Sequence, residues 1–190
     1  MNWGMIGFFV EMCALTIWVG GLIVIIAVVI PAVFNSFGME PAGRFLRRVF
    51  DGYGYLNVGI LCVLSLVAFL RYRTHGQDPS HLFSVTAGEW WLLGGMFVVT
   101  VGILGILGPQ AIALQEEAFE AVSKEQKELA YAQFFRVHMI VRALHLVNVG
   151  LAFSLFILKL RKTLVHHSAD ARLDFFVQNT MKRKTKKVMI

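Results

Sequence analysis

Apolar residues dominate four long stretches of the chain, and shorter polar connections separate them. A transmembrane helix needs about 20 consecutive, mostly apolar residues, and a helix satisfies its own backbone hydrogen bonds within hydrocarbon. The four stretches lie within Met1–Phe34 and over about Leu56–Leu70, Trp90–Leu114 and Phe134–Leu160. We therefore predict an all-α integral membrane bundle of four transmembrane helices.

The polar connection after the first stretch has a helical pattern of its own. Pro41 suits a first helical position, and residues 44–51 alternate charged and apolar side chains at helical spacing. Such a helix can lie in the headgroup plane, so we predict a short interfacial helix here, with a solvated loop as the alternative. Ser123 and Gln126 have the spacing of a capping box, which predicts that the last helix begins there and continues into the membrane.

The composition is that of a membrane protein. Of the 190 residues, 57% are hydrophobic and 16% are charged, whereas soluble domains average about 45–50% apolar and about 25% charged residues. The formal net charge of +6 comes from basic residues between the apolar stretches and near the end of the chain. No basic face is interleaved with exposed aromatic side chains. The charge therefore indicates membrane topology and not nucleic-acid binding.

The basic residues also predict an orientation. Four crossings put both ends of the predicted transmembrane domain, residues 1–162, on one side of the membrane. The polar tail 163–190 adds many cations to that side, so we predict cytoplasmic termini and a location in a bacterial inner membrane. A basic tail is expected to contact anionic lipid, or else to act only as a solubilising segment. Its terminal cluster consists of Lys182, Arg183, Lys184, Lys186 and Lys187.

Polar side chains inside a span are costly and suggest function by default. His138, Arg142 and His145 follow one another at helical spacing, and an asparagine comes one turn later. The second and third stretches each bring one amide toward the same end of the bundle. The predicted ligand or metal pocket consists of His138, Arg142, His145, Asn148, Asn57 and Gln110. For the three amides, hydrogen bonding between helices is the alternative.

The fixed charge of Arg142 requires a partner or a ligand. Asp51, at the lip of the predicted pocket, is the nearest acidic candidate. Glu11 lies in the first apolar stretch and is either within the membrane or at its surface, depending on where that span begins. If neither carboxylate pairs with Arg142, we expect an anionic or polar ligand.

The first helix carries a family resemblance. Residues 15–21 read Leu-Thr-Ile-Trp-Val-Gly-Gly, and an apolar run continues to Pro-Ala-Val-Phe at residues 31–34. This pattern resembles the first helix of the CopD-like membrane superfamily, in particular an uncharacterised four-helix bacterial branch. Residues 42–50 resemble its interfacial segment, and residues 134–148 resemble its last helix.

The resemblance implies a four-helix membrane fold and, for some members, the handling of copper. Copper-resistance members often have a histidine two helical turns before the tryptophan, and Glu11 stands there in this chain. His145 occupies a position where an asparagine is expected, although a shifted alignment places Asn148 there. Both departures weaken the transfer of copper chemistry.

Three classes of function follow from these patterns. The first is the handling or transport of a small ion, most simply a soft metal such as copper, for which imidazole is a suitable ligand. The second is a redox subunit that binds b-type haem or quinone. The third is a structural subunit of a larger membrane complex or a homo-oligomer, in contact with the lipid bilayer. No catalytic constellation is present, so an enzyme is not the favoured interpretation.

Overall fold

A computed structural model describes the backbone of residues 3–75 and 84–188, and the side chains of residues 4–74 and 84–165. The described elements are α1 (Trp3–Val24), a π-helical segment (Ile25–Val29), α2 (Ile30–Ser36), α3 (Met39–His75), α4 (Ala87–Gly102), a second π-helical segment (Ile103–Leu107), α5 (Gly108–Glu120) and α6 (Lys124–Val188). Within these residues the structure contains helices and no strand.

Four helical spans in the described part of the chain are long and apolar enough to cross a membrane. Span 1 is Gly4–Ser36, span 2 is Met39–Thr74, span 3 is Ala87–Glu120 and span 4 is Lys124–Val165. Their mean hydropathies lie between 1.9 and 2.8. The predicted four-helix architecture is confirmed, and the chain is a multi-pass integral membrane protein.

The boundaries of two helices differ in detail from the sequence prediction. The segment predicted as an interfacial helix is helical, but α3 continues through it without a break from Met39 to His75. The last helix begins at Lys124, where the amide of Gln126 donates to the Ser123 hydroxyl at 3.2 Å, as the capping pattern predicted. The backbone of α6 runs through residue 162 to Val188, so the tail continues the helix of span 4.

Each π-helical segment ends next to a proline. In span 1 the amide of Ile30 donates to the Ile25 carbonyl, and Pro31 follows directly. In span 3 the amide of Gly108 donates to the Ile103 carbonyl, and Pro109 follows directly. A proline has no amide hydrogen and its ring collides with the carbonyl of the preceding turn. The widened π turn provides space for the ring, so both helices continue past their prolines.

The four spans form a ring around a shared core. Spans 1 and 2 pack together as the first hairpin, and spans 3 and 4 pack together as the second hairpin. Span 1 also contacts span 4, and span 2 contacts span 3, so each hairpin meets the other on two sides. Every span contributes to the buried core, as shown by Trp18, Leu64, Met96 and Leu155.

A glycine permits the close approach of span 2 to span 3. A Cβ atom on Gly54 would lie 2.6 Å from Cδ2 of Leu104, whereas a Cβ atom on Gly59 would have no atom within 4 Å. We expect Gly54→Val to lower the free energy of unfolding by about 1–3 kcal/mol, because it overpacks this contact. Gly59→Val is the control on the same helix. Thermal unfolding of the purified proteins in one detergent measures the difference, and equal midpoints would contradict the prediction.

Candidate functional site: a buried charge cluster and an amide-lined cavity

One end of the bundle contains a buried charge cluster, which consists of Glu11, Arg71, Glu89 and Lys159. Each residue comes from a different span, and none of the four side chains is more than 5% exposed. Oε2 of Glu11 accepts from Arg71 Nη1 at 2.6 Å and lies 2.9 Å from Lys159 Nζ. Oε2 of Glu89 accepts from Lys159 Nζ at 2.8 Å and from Arg71 Nη1 at 3.4 Å. Two carboxylates and two cations therefore share one buried site.

The start of span 3 supports this cluster. The Thr86 hydroxyl accepts from the amide of Glu89 at 3.3 Å, and Oε1 of Glu89 accepts from the amide of Thr86 at 3.5 Å, which is a complete capping box. The Ser84 carbonyl accepts from Arg71 Nη2 at 3.1 Å and from Lys162 Nζ at 2.6 Å. Glu89 thus caps its own helix with one oxygen and joins the cations of spans 2 and 4 through the second.

The two hairpins place equivalent residues at equivalent depths. The interval along the chain from Glu11 to Pro31 in span 1 is the same as the interval from Glu89 to Pro109 in span 3. The two π-helical segments also start at matching positions, and four buried positions from the acid to the first residue of the π segment are matched in the two spans. These matched buried pairs are Leu15 and Leu93, Trp18 and Met96, Leu22 and Thr100, and Ile25 and Ile103. The first helix of each hairpin therefore supplies one acid, and the second helix supplies one cation.

A second polar feature, the amide-lined cavity, lies between spans 2, 3 and 4. It has a volume of about 10 Å³ and is lined by Gly54, Asn57, Thr100, Ile103, Leu104, His145 and Asn148. Nδ2 of Asn148 donates to the Thr100 hydroxyl at 2.9 Å. The Oδ1 atoms of Asn57 and Asn148 are buried and accept no hydrogen bond from any described residue. The cavity thus presents two unsatisfied acceptors inside the bundle, which is a costly arrangement without an occupant.

The structure brings together three residues of the predicted pocket and leaves three outside it. Asn57, His145 and Asn148 line the same cavity. Gln110 is exposed, and the half-buried His138 stacks on Phe134 at a ring distance of 5.2 Å. The imidazole of His145 packs near the rings of Phe50 and Tyr53.

Arg142 does not face the interior of the bundle, so that expectation is not met. Its side chain is exposed. The inward stripe of α6 runs back from Lys159 through Leu155, Ala152 and Asn148 at helical spacing, and reaches Val141 by way of His145. Arg142 falls beside this stripe.

The proposed acidic partners of Arg142 are also placed differently. No carboxylate of the described side chains lies within 4 Å of Arg142, so Asp51 does not pair with it. Glu11 is fully buried, at 1% exposure, and its partners are Arg71 and Lys159. The cations of the tail, from Lys182 to Lys187, have side chains outside the described residues.

The described bundle also has an apolar groove, which offers no group for catalysis or for binding a metal ion. A shallow groove of about 560 Å³ between spans 1 and 2 is almost entirely apolar and is floored by glycines 20, 21 and 52. Among the side chains the structure describes, no group of three or more His, Cys, Asp and Glu residues is placed to hold a metal ion. The polar chemistry of the described bundle is therefore concentrated in the charge cluster and the amide-lined cavity.

The sequence analysis missed the charge cluster. Arg71 and Lys159 lie at the ends of apolar stretches, where basic residues predict only orientation, and Glu89 directly precedes the third predicted stretch. The signal that identifies the cluster is the repeated spacing of a glutamate and a proline, at residues 11 and 31 and again at 89 and 109. An acid at the same depth in two spans needs two cations at that depth, and the ends of spans 2 and 4 supply them.

Comparison with known proteins yields one family. The family model described as "Domain of unknown function (DUF4149)" matches residues 13–120, which is more than half of the chain. The matched range includes all of spans 2 and 3 and most of span 1. No curated protein and no solved structure matches the chain.

We predict that removing a carboxylate from a buried ion pair lowers the free energy of unfolding of this protein far more than removing one from an exposed ion pair. Glu11→Gln leaves the cations of the cluster with one carboxylate, and we expect a loss of about 3–5 kcal/mol in the free energy of unfolding. Glu40→Gln is the control, because Glu40 pairs with Arg44 at 3.2 Å while both side chains are about half exposed. That change should cost less than about 1 kcal/mol.

Unfolding by denaturant in mixed micelles measures both losses. The double variant Glu11→Gln with Lys159→Met restores the charge balance, so it should lose less than the sum of its two single variants. The four charges do not act together if the double variant loses as much free energy of unfolding as the sum of its two single variants. The same conclusion follows if Glu11→Gln is as stable as Glu40→Gln.

Proposed function

The chain belongs to the family described as "Domain of unknown function (DUF4149)", and we propose that it handles a small ion inside the membrane, at the interface of its two hairpins. The observation that carries the proposal is the pair of buried carboxamide oxygens of Asn57 and Asn148, which line one cavity and have no donor among the described residues. Buried acceptors of this kind are stable when an occupant supplies positive charge or donor hydrogens.

The location of the cavity supports transport rather than a purely structural role. Asn57 belongs to the first hairpin, whereas Thr100, His145 and Asn148 belong to the second. In many transporters built from repeats, the substrate site lies between the repeats and the repeats move against each other. The matched glutamates, π segments and prolines give this chain the pattern of two parallel repeats.

In this proposal an ion crosses the membrane between the two hairpins, by way of the amide-lined cavity. The charge cluster closes that path at one end. Along α3, the backbone positions of Asn57 and Arg71 are separated by about 21 Å at the rise of an α-helix. The cluster joins all four spans at that level, so an ion in the cavity has no open route past it in this conformation. Rearrangement of its ion pairs between the hairpins would open the route.

The size of the cavity distinguishes between the candidate ligands. Cofactor sites have volumes of about 300–1,000 Å³, and the cavity of about 10 Å³ holds one particle the size of a water molecule. This supports a small ion over b-type haem or quinone at this site. The relationship to the CopD-like superfamily remains a proposal, which rests on the Trp-Val-Gly-Gly segment within the matched residues.

We also propose that the end with the charge cluster faces the cytoplasm of a bacterial inner membrane. Arg71, Lys159 and Lys162 lie at this end, and the basic tail continues from it. Near the spans the cations of the two ends are balanced, so the cations of the tail decide the orientation, because an excess of cations is typical of the cytoplasmic side.

Ion passage is tested by measuring membrane currents in proteoliposomes after jumps in cation concentration. We expect a current above that of empty liposomes, reduced at least about fivefold in Asn57→Leu and in Asn148→Leu, because one lost ligand is worth about 1–3 kcal/mol. Asn35→Leu is the matched control, since Asn35 is exposed and outside the cavity. A wild-type current equal to that of empty liposomes, or unchanged currents in both cavity variants, would overturn the proposal.

The orientation is tested by protease digestion of the tail. Protease added outside right-side-out spheroplasts should leave residues 163–190 intact, and protease added to inverted vesicles should remove them. An epitope after Ile190 reports the outcome on a blot. Cleavage in intact spheroplasts would show the opposite orientation.

A further inference from the structure

The amide-lined cavity has oxygen acceptors on its side chains and adjoins a turn that lacks one backbone donor. Asn57 and Asn148 each present a carboxamide oxygen, and the Thr100 hydroxyl keeps one lone pair after accepting from Asn148. Pro109 has no amide hydrogen, so the continuing helix lacks one backbone donor for the turn at residues 104–105. Leu104 in that turn lines the cavity. The side chains therefore supply three oxygens to one small space, and the turn that contains Leu104 adjoins it.

The charge of the lining restricts the class of ligand. The cavity-lining residues include no carboxylate and no permanently charged cation, so any charge on the occupant is neutralised only by dipoles. Transfer of an ion into a low-dielectric interior costs more for a higher charge, and divalent cations in proteins are usually bound by carboxylates. Thiolate and thioether ligands, which soft metals prefer, are absent from the residues that line this cavity, so a soft metal would have the imidazole of His145 as its single favoured side-chain ligand there.

We infer that the amide-lined cavity is a binding site for one monovalent cation, of the alkali or ammonium class. This inference rests on the proposed function and specifies its substrate. Asn57 Oδ1, Asn148 Oδ1 and Thr100 Oγ1 are the side-chain ligands, and the turn loosened by the π segment and Pro109 supplies a carbonyl. Unwound turns whose carbonyls coordinate a cation are an established solution in membrane transporters. The π segment has the same role here: it lets span 3 cross the membrane while leaving a carbonyl available.

The test is a binding measurement that does not depend on transport. The thermal unfolding midpoint of the purified full-length protein is followed in detergent while choline chloride is replaced by NaCl, KCl or NH4Cl at constant ionic strength. MgCl2 and a copper(I) complex form the second group of ligands. A ligand that binds only the folded state raises the midpoint as its concentration increases.

We expect at least one monovalent cation to raise the midpoint by several degrees, with no comparable rise from magnesium or copper. Asn57→Leu, Asn148→Leu and Thr100→Val should raise the half-saturating concentration at least about fivefold, whereas Asn35→Leu should leave it unchanged. Asn57→Asp is the complementary variant, because it places one carboxylate in the cavity. It should shift the response from monovalent cations toward magnesium.

The outcomes separate this inference from the proposed function. A response to magnesium or copper that is lost in the asparagine variants would overturn the monovalent class and leave the handling of a small ion in place. A protein that carries current but shows no midpoint response to any cation would overturn the cation site, with a buried water as the occupant. Absence of both current and response would overturn both proposals.

Discussion

The ion pairs of the buried charge cluster are the constraint on which the bundle depends. An ionised side chain inside the membrane is several kcal/mol too costly unless partners compensate its charge. Glu11 and Glu89 each meet both Arg71 and Lys159, so no member has a single partner. Because each charge belongs to a different span, sliding one helix along another by a turn would leave a buried charge uncompensated. The cluster thus fixes the relative depth of all four spans.

This fixed register determines what meets at the level of the cavity. Asn57 precedes Arg71 in α3 by the same interval as His145 precedes Lys159 in α6, which is about four helical turns. Equal distances from a common cluster bring the two side chains to the same depth on spans 2 and 4, from which both reach the cavity. On α4, Thr100 follows Glu89 by about three turns and reaches a similar level from the opposite chain direction. The polar lining of the cavity therefore follows from the position of the charges.

The sequence predicts the helices well and their lateral contacts poorly, for a physical reason. Apolar length alone identifies a span, because the thickness of hydrocarbon is the same for every helix. The face that a residue presents depends on neighbours in other spans. Asn57, His145 and Asn148 were predicted to share a pocket, and they do line one cavity. Arg142 has nearly the same angular position as the two histidines, yet its long side chain lies outside because the packed stripe continues through His145 to Val141.

The charge cluster illustrates what local patterns do not reveal. Arg71 and Glu89 stand at the ends of apolar stretches, where flanking charges are ordinary and serve as anchors in many membrane proteins. Only their shared depth with Glu11 and Lys159 distinguishes them, and that depth becomes visible when spans 1 and 3 are compared with each other. The repeated interval between acid and proline carries this information, since the same two residue types recur at the same spacing in both helices.

Ion pairs join the two hairpins at both ends of their interface, and the pairs at the two ends differ in strength. At one end the cluster joins the hairpins through buried charges that lose their compensation if the helices separate. At the other end Arg47 of span 2 meets Glu116 of span 3, and both side chains are partly exposed. Such a pair contributes less than about 1 kcal/mol, because water can solvate both charges when they part. Along α3, Asn57 is closer to Arg47 than to Arg71, so the cavity also lies nearer to the weakly paired end. For the ion passage proposed above, the weakly paired end with Arg47 and Glu116 is the expected entrance, and release on the far side requires the charge cluster to exchange partners between the hairpins.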